Sequence, residues 1–205
     1  MANVARRWDM PTFSMGFRAC RYIKAGEELT VTYDFILNPA AERQKALEPY
    51  GFQCTCFACT TPDPIESHHR RLIFLAAFPT PAEWMSWVMA ERAPDDHIIR
   101  PCLGQLRICD EEGLHTAHDY IQAYLEVVML CYQMLGDENK VVKYGEMLGR
   151  QVLAETGDDT ELKTFRRLNY HKRQAGWAIR KTGSPAGFNI KWNHYGKVAE
   201  ILKIL

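Results

Sequence analysis

Cys54, Cys56 and Cys59 place three thiols within six positions, in the order C-x-C-x-x-C, with the aromatics Phe52 and Phe57 beside them. Thiolates this close repel one another, and apolar neighbours raise the cost of charging them. A zinc ion removes both penalties, because it takes soft sulfur ligands tetrahedrally at ~2.3 Å each. Disulfide pairing is the competing reading, but cysteines at this spacing seldom reach a relaxed bridge geometry. Inert buried thiols are the plainer alternative; the tight spacing and the ligand type favour zinc. Three thiolates leave one tetrahedral position to fill. A structural site closes it with a fourth protein ligand, whereas an open position suits catalysis by metal-bound water. Cys20, His68 and His69 are the nearby candidates, and no spacing selects among them.

Composition narrows the function classes. The 205 residues suffice for one domain, or for a small domain joined to a helical one. With 47% hydrophobic and 24% charged residues the chain is globular. Its formal net charge of zero argues against a dedicated nucleic-acid binder. No apolar run is long enough to span a membrane. The opening residues, Met1 to Trp8, have no apolar core of a signal peptide. Seven cysteines, three of them clustered, suit a reducing compartment, cytoplasmic or nuclear. Cys102, Cys109 and Cys131 read most simply as small buried hydrophobes.

The elements that must position these residues follow from periodicity. Residues 13–23 alternate, with Phe13, Met15, Phe17 and Ala19 on one strand face. After a turn at Lys24 to Glu28, the β-branched and aromatic run Leu29 to Phe35 predicts a second strand. Ala40 to Leu47 is a short helix, and the cysteine cluster comes next. Thr60 to Pro64, with two prolines, is the clearest linker. Beyond it the pattern turns helical. Ile65 to Phe78 is one candidate, and Thr80, Pro81 and Glu83 form a capping box for the next. Ile121, Tyr124, Leu125, Val128, Tyr132 and Leu135 share a face. Gly136-Asp137 breaks that helix, and Val141, Tyr144, Leu148 and Val152 trace a second one. The resulting hairpin, 117–156, is tetratricopeptide-like, but a single copy is a weak repeat signal. A further helix is expected from Leu162 to about Lys181, and a last one from Ile190 to Leu205.

Two blocks resemble the SET-domain protein-lysine methyltransferases: Arg21-Tyr22-Ile23-Lys24-Ala25-Gly26-Glu27-Glu28-Leu29-Thr30-Val31-Thr32-Tyr33, and Tyr50-Gly51-Phe52-Gln53-Cys54-Thr55-Cys56-Phe57-Ala58-Cys59. Within that family the chain is most similar to the SET and MYND branch, whose cysteine segment precedes an all-helical domain. The resemblance implies an α+β chain: a small β-rich SET remnant over 1–48, a zinc-binding post-SET segment over 49–62, and a helical domain over 65–205. It implies that Tyr33 stands at the methyl-transfer site, where its hydroxyl orients a neutral lysine amine. Tyr50 corresponds to an aromatic wall of the lysine channel. Phe52 corresponds to the residue that stacks on the adenine of S-adenosylmethionine, and Cys54, Cys56 and Cys59 to the ligands of a structural zinc. The family also carries an Asn-His-Ser-Cys-x-Pro-Asn motif. Ala2-Asn3 align with its end, which makes Asn3 a cofactor-binding position and puts the motif's cysteine, the family's fourth zinc ligand, one residue before Met1. The chain is therefore expected to be N-terminally truncated, and inactive by itself.

Without the family, Tyr33 alternates with Val31 and Leu29 and reads as packing. Tyr50 and Phe52 would simply cover the metal. The run His68-His69-Arg70-Arg71 reads as a solvated helix start rather than a substrate-contacting patch. The leading function is a piece of an S-adenosylmethionine-dependent protein-lysine methyltransferase acting on a histone or another protein, with no membrane or nucleic-acid partner. The alternative is a non-enzymatic, zinc-stapled interaction module whose helical half binds a protein. A zinc hydrolase is weakest, because no histidine-rich or carboxylate set accompanies the thiols.

Overall fold

The structure is a computed structural model that describes residues 2–90, 92–167 and 177–182, the last two by backbone alone. It is α+β, with two strands among the described residues, followed by helices. Strands β1 (Val4–Asp9) and β2 (Ser14–Ala19) pair antiparallel, Val4 opposite Ala19 and Asp9 opposite Ser14. The expected strand at 13–23 is therefore shorter and finds its partner at the start of the chain. Phe13 lies in the turn at a positive φ of 51°.

The expected strand from Leu29 to Phe35 does not form. The Asn3 and Val4 N–H groups both donate to the single Thr30 carbonyl, at 3.0 and 3.1 Å. Two donors spent on one acceptor cannot propagate a ladder. β-branched residues favour a strand only where a partner edge continues, and here the stretch becomes one wall of a cleft.

Next come α1 (Ala40–Leu47), a 3₁₀ turn (Glu48–Tyr50) and α2 (Phe57–Thr60). Helix α3 (Pro64–Ala76) starts on a linker proline, because Pro64 occupies the first turn, where no N–H is needed. Asp63 caps it by accepting from the Glu66 N–H at 2.9 Å. The expected capping box opens α4 (Pro81–Met89), with both Thr80–Glu83 bonds made. Then follow α5 (Ile99–Glu112), α6 (His118–Leu135) and α7 (Glu138–Thr156), with α8 (Thr160–Phe165) and α9 (Ile179–Thr182) behind them.

Helix α6 is buried on every side rather than along one stripe, including Ala123, Val127, Cys131 and Met134. Even its polar Gln122, Glu126 and Gln133 are buried, and α5, α7 and α9 each pack on it. The Gly136 turn and the Asp137 cap, which accepts from the Lys140 N–H at 3.1 Å, join α6 to α7. On α7, Gly145 and Gly149 let α8 approach: a Cβ on Gly149 would stand 2.6 Å from the Leu162 Cα. Helix α8 ends at Phe165. Residues 168–176 and the expected helix from Ile190 to Leu205 lie outside the described residues. No described helix is long and apolar enough to cross a membrane.

Candidate functional site

Tyr33 leaves the irregular 29–35 stretch, while Tyr50 and Phe52 flank Gly51, whose φ of 71° turns the chain after the 3₁₀ segment. The three rings converge. Tyr33 meets Tyr50 edge-on with centroids 4.9 Å apart, and Phe52 at 5.7 Å. The Arg6 guanidinium lies over the Tyr33 ring, 5.7 Å from its centroid. All three rings remain between 44% and 58% exposed, so this is a surface-facing aromatic cluster and not core. It borders a cleft of about 550 Å³ lined by Tyr33, Phe52 and the stretch from Glu28 to Asp34, with the cysteine segment opposite.

Asn3 supports one wall of that cleft. Its side chain is 1% exposed and fully engaged. The amide donates to Glu27 Oε1 at 3.1 Å and to the Glu28 carbonyl at 2.9 Å, and its oxygen accepts the Thr30 N–H at 2.9 Å. Glu27 also accepts from Arg21 and from the Lys24 N–H. The Arg21 hydrogen bonds, with those from Lys24 and Asn3, hold its carboxyl down at about 2.

The Cys54, Cys56 and Cys59 sulfurs lie within 4.8 Å of one another, a spread that a metal ion bound at ~2.3 Å per thiolate draws together. Helix α1 holds the segment on which they sit, which runs from the loop at Cys54 into the short α2. Gln44 clamps the Cys54 backbone, donating to its carbonyl at 2.9 Å and accepting its N–H at 3.1 Å. Arg43, also from α1, donates to the Ala58 carbonyl at 3.1 Å and contacts Cys59 Sγ at 3.4 Å. Burial pushes the Cys54 thiol up to about 11. Burial acts the same way on Cys56, but hydrogen bonds from the Cys54 and Cys59 thiols outweigh it and hold Cys56 below the ordinary range. One low thiol flanked by a raised neighbour and an arginine is a set that a cation can bind and deprotonate.

Of the fourth-ligand candidates, Cys20 lies elsewhere: its sulfur is 3.6 Å from His118 Nε2 on α6. His68 and His69 sit within α3 and do not join the cluster. The basic run they begin is not a solvated helix start. Arg71 is 1% exposed, and Arg70 and Arg71 both turn to Glu112 at the end of α5. The sequence carries no local signal for the roles of Arg43, Gln44, Arg71 and Glu112, because their bonds to the cysteine segment and to each other's elements reach across 10 to 45 residues.

Comparison with known proteins bears on this site. Histone-lysine N-methyltransferase SMYD3 of Homo sapiens is 49% identical over 47 residues, which are 22% of this chain and 11% of that protein. Its Mus musculus counterpart matches over the same shares. Histone-lysine N-methyltransferase set5 of Schizosaccharomyces pombe is 39% identical over 59 residues, 28% of this chain and 18% of that protein. The chain is related to the SET-domain methyltransferases. The matched stretches span less than a fifth of each of these relatives. No protein-family model and no solved structure matches.

Proposed function

We propose that this cleft belongs to the active site of an S-adenosylmethionine-dependent protein-lysine N-methyltransferase, with a histone or another nuclear or cytoplasmic protein as substrate. The observation that carries the reading is the packing of Tyr50 and Phe52 on Tyr33, with Tyr33 and Phe52 lining one cleft together with three clustered cysteines. The residues fit the cofactor: an exposed aromatic ring stands at the edge of a cleft, and the volume lies within the ~300–1,000 Å³ of small-molecule sites. S-adenosylmethionine supplies an electrophilic methyl group. Phe52 would hold its adenine by stacking, and Asn3 would serve by bracing the wall from Glu27 to Thr30. Tyr50 would line the path of the incoming lysine side chain, whose stem packs on aromatic surface. The Tyr33 hydroxyl would accept from the neutral amine and fix its lone pair along the line of transfer, which is catalysis by positioning. Cys54, Cys56 and Cys59 would hold a structural zinc that keeps the segment carrying Tyr50 and Phe52 folded against the cleft.

The test separates stacking from positioning. S-adenosylmethionine titrated onto the chain should bind only in the millimolar range or more weakly, because one stacked ring contributes ~1–3 kcal/mol. Phe52→Ala should abolish that binding, and Tyr33→Phe should leave it unchanged. In any form of the protein that turns over, Tyr33→Phe should slow methyl transfer to a lysine-bearing protein by ~10²-fold. Cofactor binding indifferent to Phe52→Ala would refute the reading and leave the zinc-stapled interaction module in its place.

A further inference from the structure

We propose that the C-terminal turn of α5 carries a second metal site, in which Cys109, Asp110 and His115 hold a divalent ion of the zinc class. This site is independent of the aromatic cleft and of the methyltransferase reading.

The turn itself builds the site. Helix α5 stops at Gly113, which takes a positive φ of 62°. The Leu114 N–H then reaches back to the Cys109 carbonyl at 2.8 Å, and the Gly113 N–H to the Asp110 carbonyl at 3.3 Å. This six-to-one closure is the common way to reverse a chain at a helix end. Leu114 is fully buried and pins the reversal, and the Ala117 N–H donates to the Leu114 carbonyl at 2.8 Å to begin the next turn. His115, held between those anchors, folds back over the last turn of α5. A thiol, a carboxylate and an imidazole thus arrive from a seven-residue tract without any distant segment.

The donor atoms of Cys109, Asp110 and His115 all lie within 4.8 Å of one another. His115 Nδ1 stands 3.8 Å from Asp110 Oδ1, too far for a hydrogen bond. Among the described residues no closer polar partner occupies that ring. The bland reading, an ion pair over a buried cysteine, leaves the imidazole and the thiol converging without bonding.

The donor set selects the ion. Magnesium and calcium want oxygen ligands throughout. A thiolate, an imidazole and a carboxylate together suit zinc and its neighbours among the divalent transition metals. Burial is graded: Cys109 is buried, His115 is mostly covered, and Asp110 is exposed. All three line a second cleft of about 590 Å³ that also presents Arg18, Arg21 and Arg150. A tetrahedral ion with three protein ligands keeps one position for solvent or for an anion admitted by that cleft.

Cobalt(II) alone, added to the full chain, reports the site through its visible ligand-field bands and its sulfur-to-metal charge transfer. A chain with Cys54, Cys56 and Cys59 all changed to serine should still take up one equivalent, with the charge transfer of a single thiolate. In that background His115→Gln and Asp110→Asn should each weaken cobalt binding by at least ~10-fold, the loss seen even for outer-sphere partners. Cys109→Ala should remove the charge-transfer band. If the triple-serine chain does not fold, His115→Gln in the otherwise native chain decides, since it should cost one bound equivalent and leave the three-thiolate spectrum intact. A triple-serine chain that folds and binds no cobalt would overturn the proposal. So would binding that ignores both His115→Gln and Asp110→Asn, or an unchanged cobalt count in the native-background variant.

Discussion

Arg71 and Glu112 face each other in the interior, each 1% exposed, with Arg71 Nε 3.4 Å from Glu112 Oε2. Glu112 also accepts from Ser67 Oγ at 2.6 Å and from Arg70 Nε at 2.8 Å. Arg71 in turn donates to the Ile36 carbonyl and, at 3.2 Å, to the Glu112 carbonyl. One buried charge pair therefore ties α3 and the end of α5 to the loop that follows Tyr33.

Removing one partner strands the other. Glu112→Gln should lower the unfolding free energy by about 3–5 kcal/mol, because it leaves a buried guanidinium uncompensated. The double change Arg71→Met with Glu112→Leu should recover much of that loss, since an apolar pair avoids the desolvation cost. Chemical denaturation of Arg71→Met, Glu112→Leu and the double variant closes the cycle. Additive losses would show that the pair is not coupled.

The two α7 glycines and the α5 glycine should respond oppositely to alanine. A Cβ on Gly149 meets the Leu162 backbone at 2.6 Å, whereas one on Gly104 meets nothing within 4 Å. Gly149→Ala should destabilise by about 1–3 kcal/mol through overpacking. Gly104→Ala should stabilise by about 0.5–1 kcal/mol through helix propensity alone. Thermal melts of the two variants compare the effects directly. Equal shifts would mean that α8 does not pack closely on α7.

Glu27 sets an acid dependence. Hydrogen bonds from Arg21, then from Lys24 and Asn3, lower its pKa from an ordinary 4.5 to about 2 in the fold. A depressed carboxyl contributes stability that is present above its unfolded pKa and lost as pH falls through the folded one. Its contribution should thus fade between pH 4.5 and about 2. Glu27→Gln should be less stable at neutral pH and should show a shallower decline across that window. A carboxyl resonance titrating near 4.5 would contradict the bonded arrangement.

Arg43 should tune the cysteine cluster without being a ligand. It contacts Cys59 Sγ at 3.4 Å and holds the Ala58 carbonyl at 3.1 Å. Arg43→Met keeps the stem's bulk and removes both contacts. Zinc held by the three thiolates should then be released to a chelator ~10–100-fold more readily, the scale of outer-sphere effects. Competition with a coloured chelator measures it. Unchanged zinc affinity would leave Arg43 a packing residue only.

Features legible in the sequence are those closed within a few residues. The Thr80–Glu83 capping box and the Gly136-Asp137 break depend on bonds three residues apart, and they form as expected. The cysteine cluster likewise arises on one short segment, the loop at Cys54 and the start of α2, so spacing alone proposes the ligands. Helix α5 escaped notice because Pro101 and Gly104 interrupt its pattern. Pro101 falls in the first turn, where a missing N–H costs nothing.

Tertiary structure decided whatever depends on a remote partner. Leu29 to Phe35 have strand-forming side chains, but the only backbone bonds they receive from β1 and its lead-in are the Asn3 and Val4 N–H groups on the Thr30 carbonyl, which make no ladder. Helix α6 shows an apolar stripe in sequence, and its burial on all sides is set by α5, α7 and α9. Arg71 and Glu112 carry no mark of pairing across 41 residues. Tyr33, Tyr50 and Phe52 become one aromatic cluster only when Gly51 turns the chain back toward the cleft. Local hydrogen bonds are written in neighbouring residue types, whereas burial and charge pairing depend on which surfaces the folded chain brings into contact.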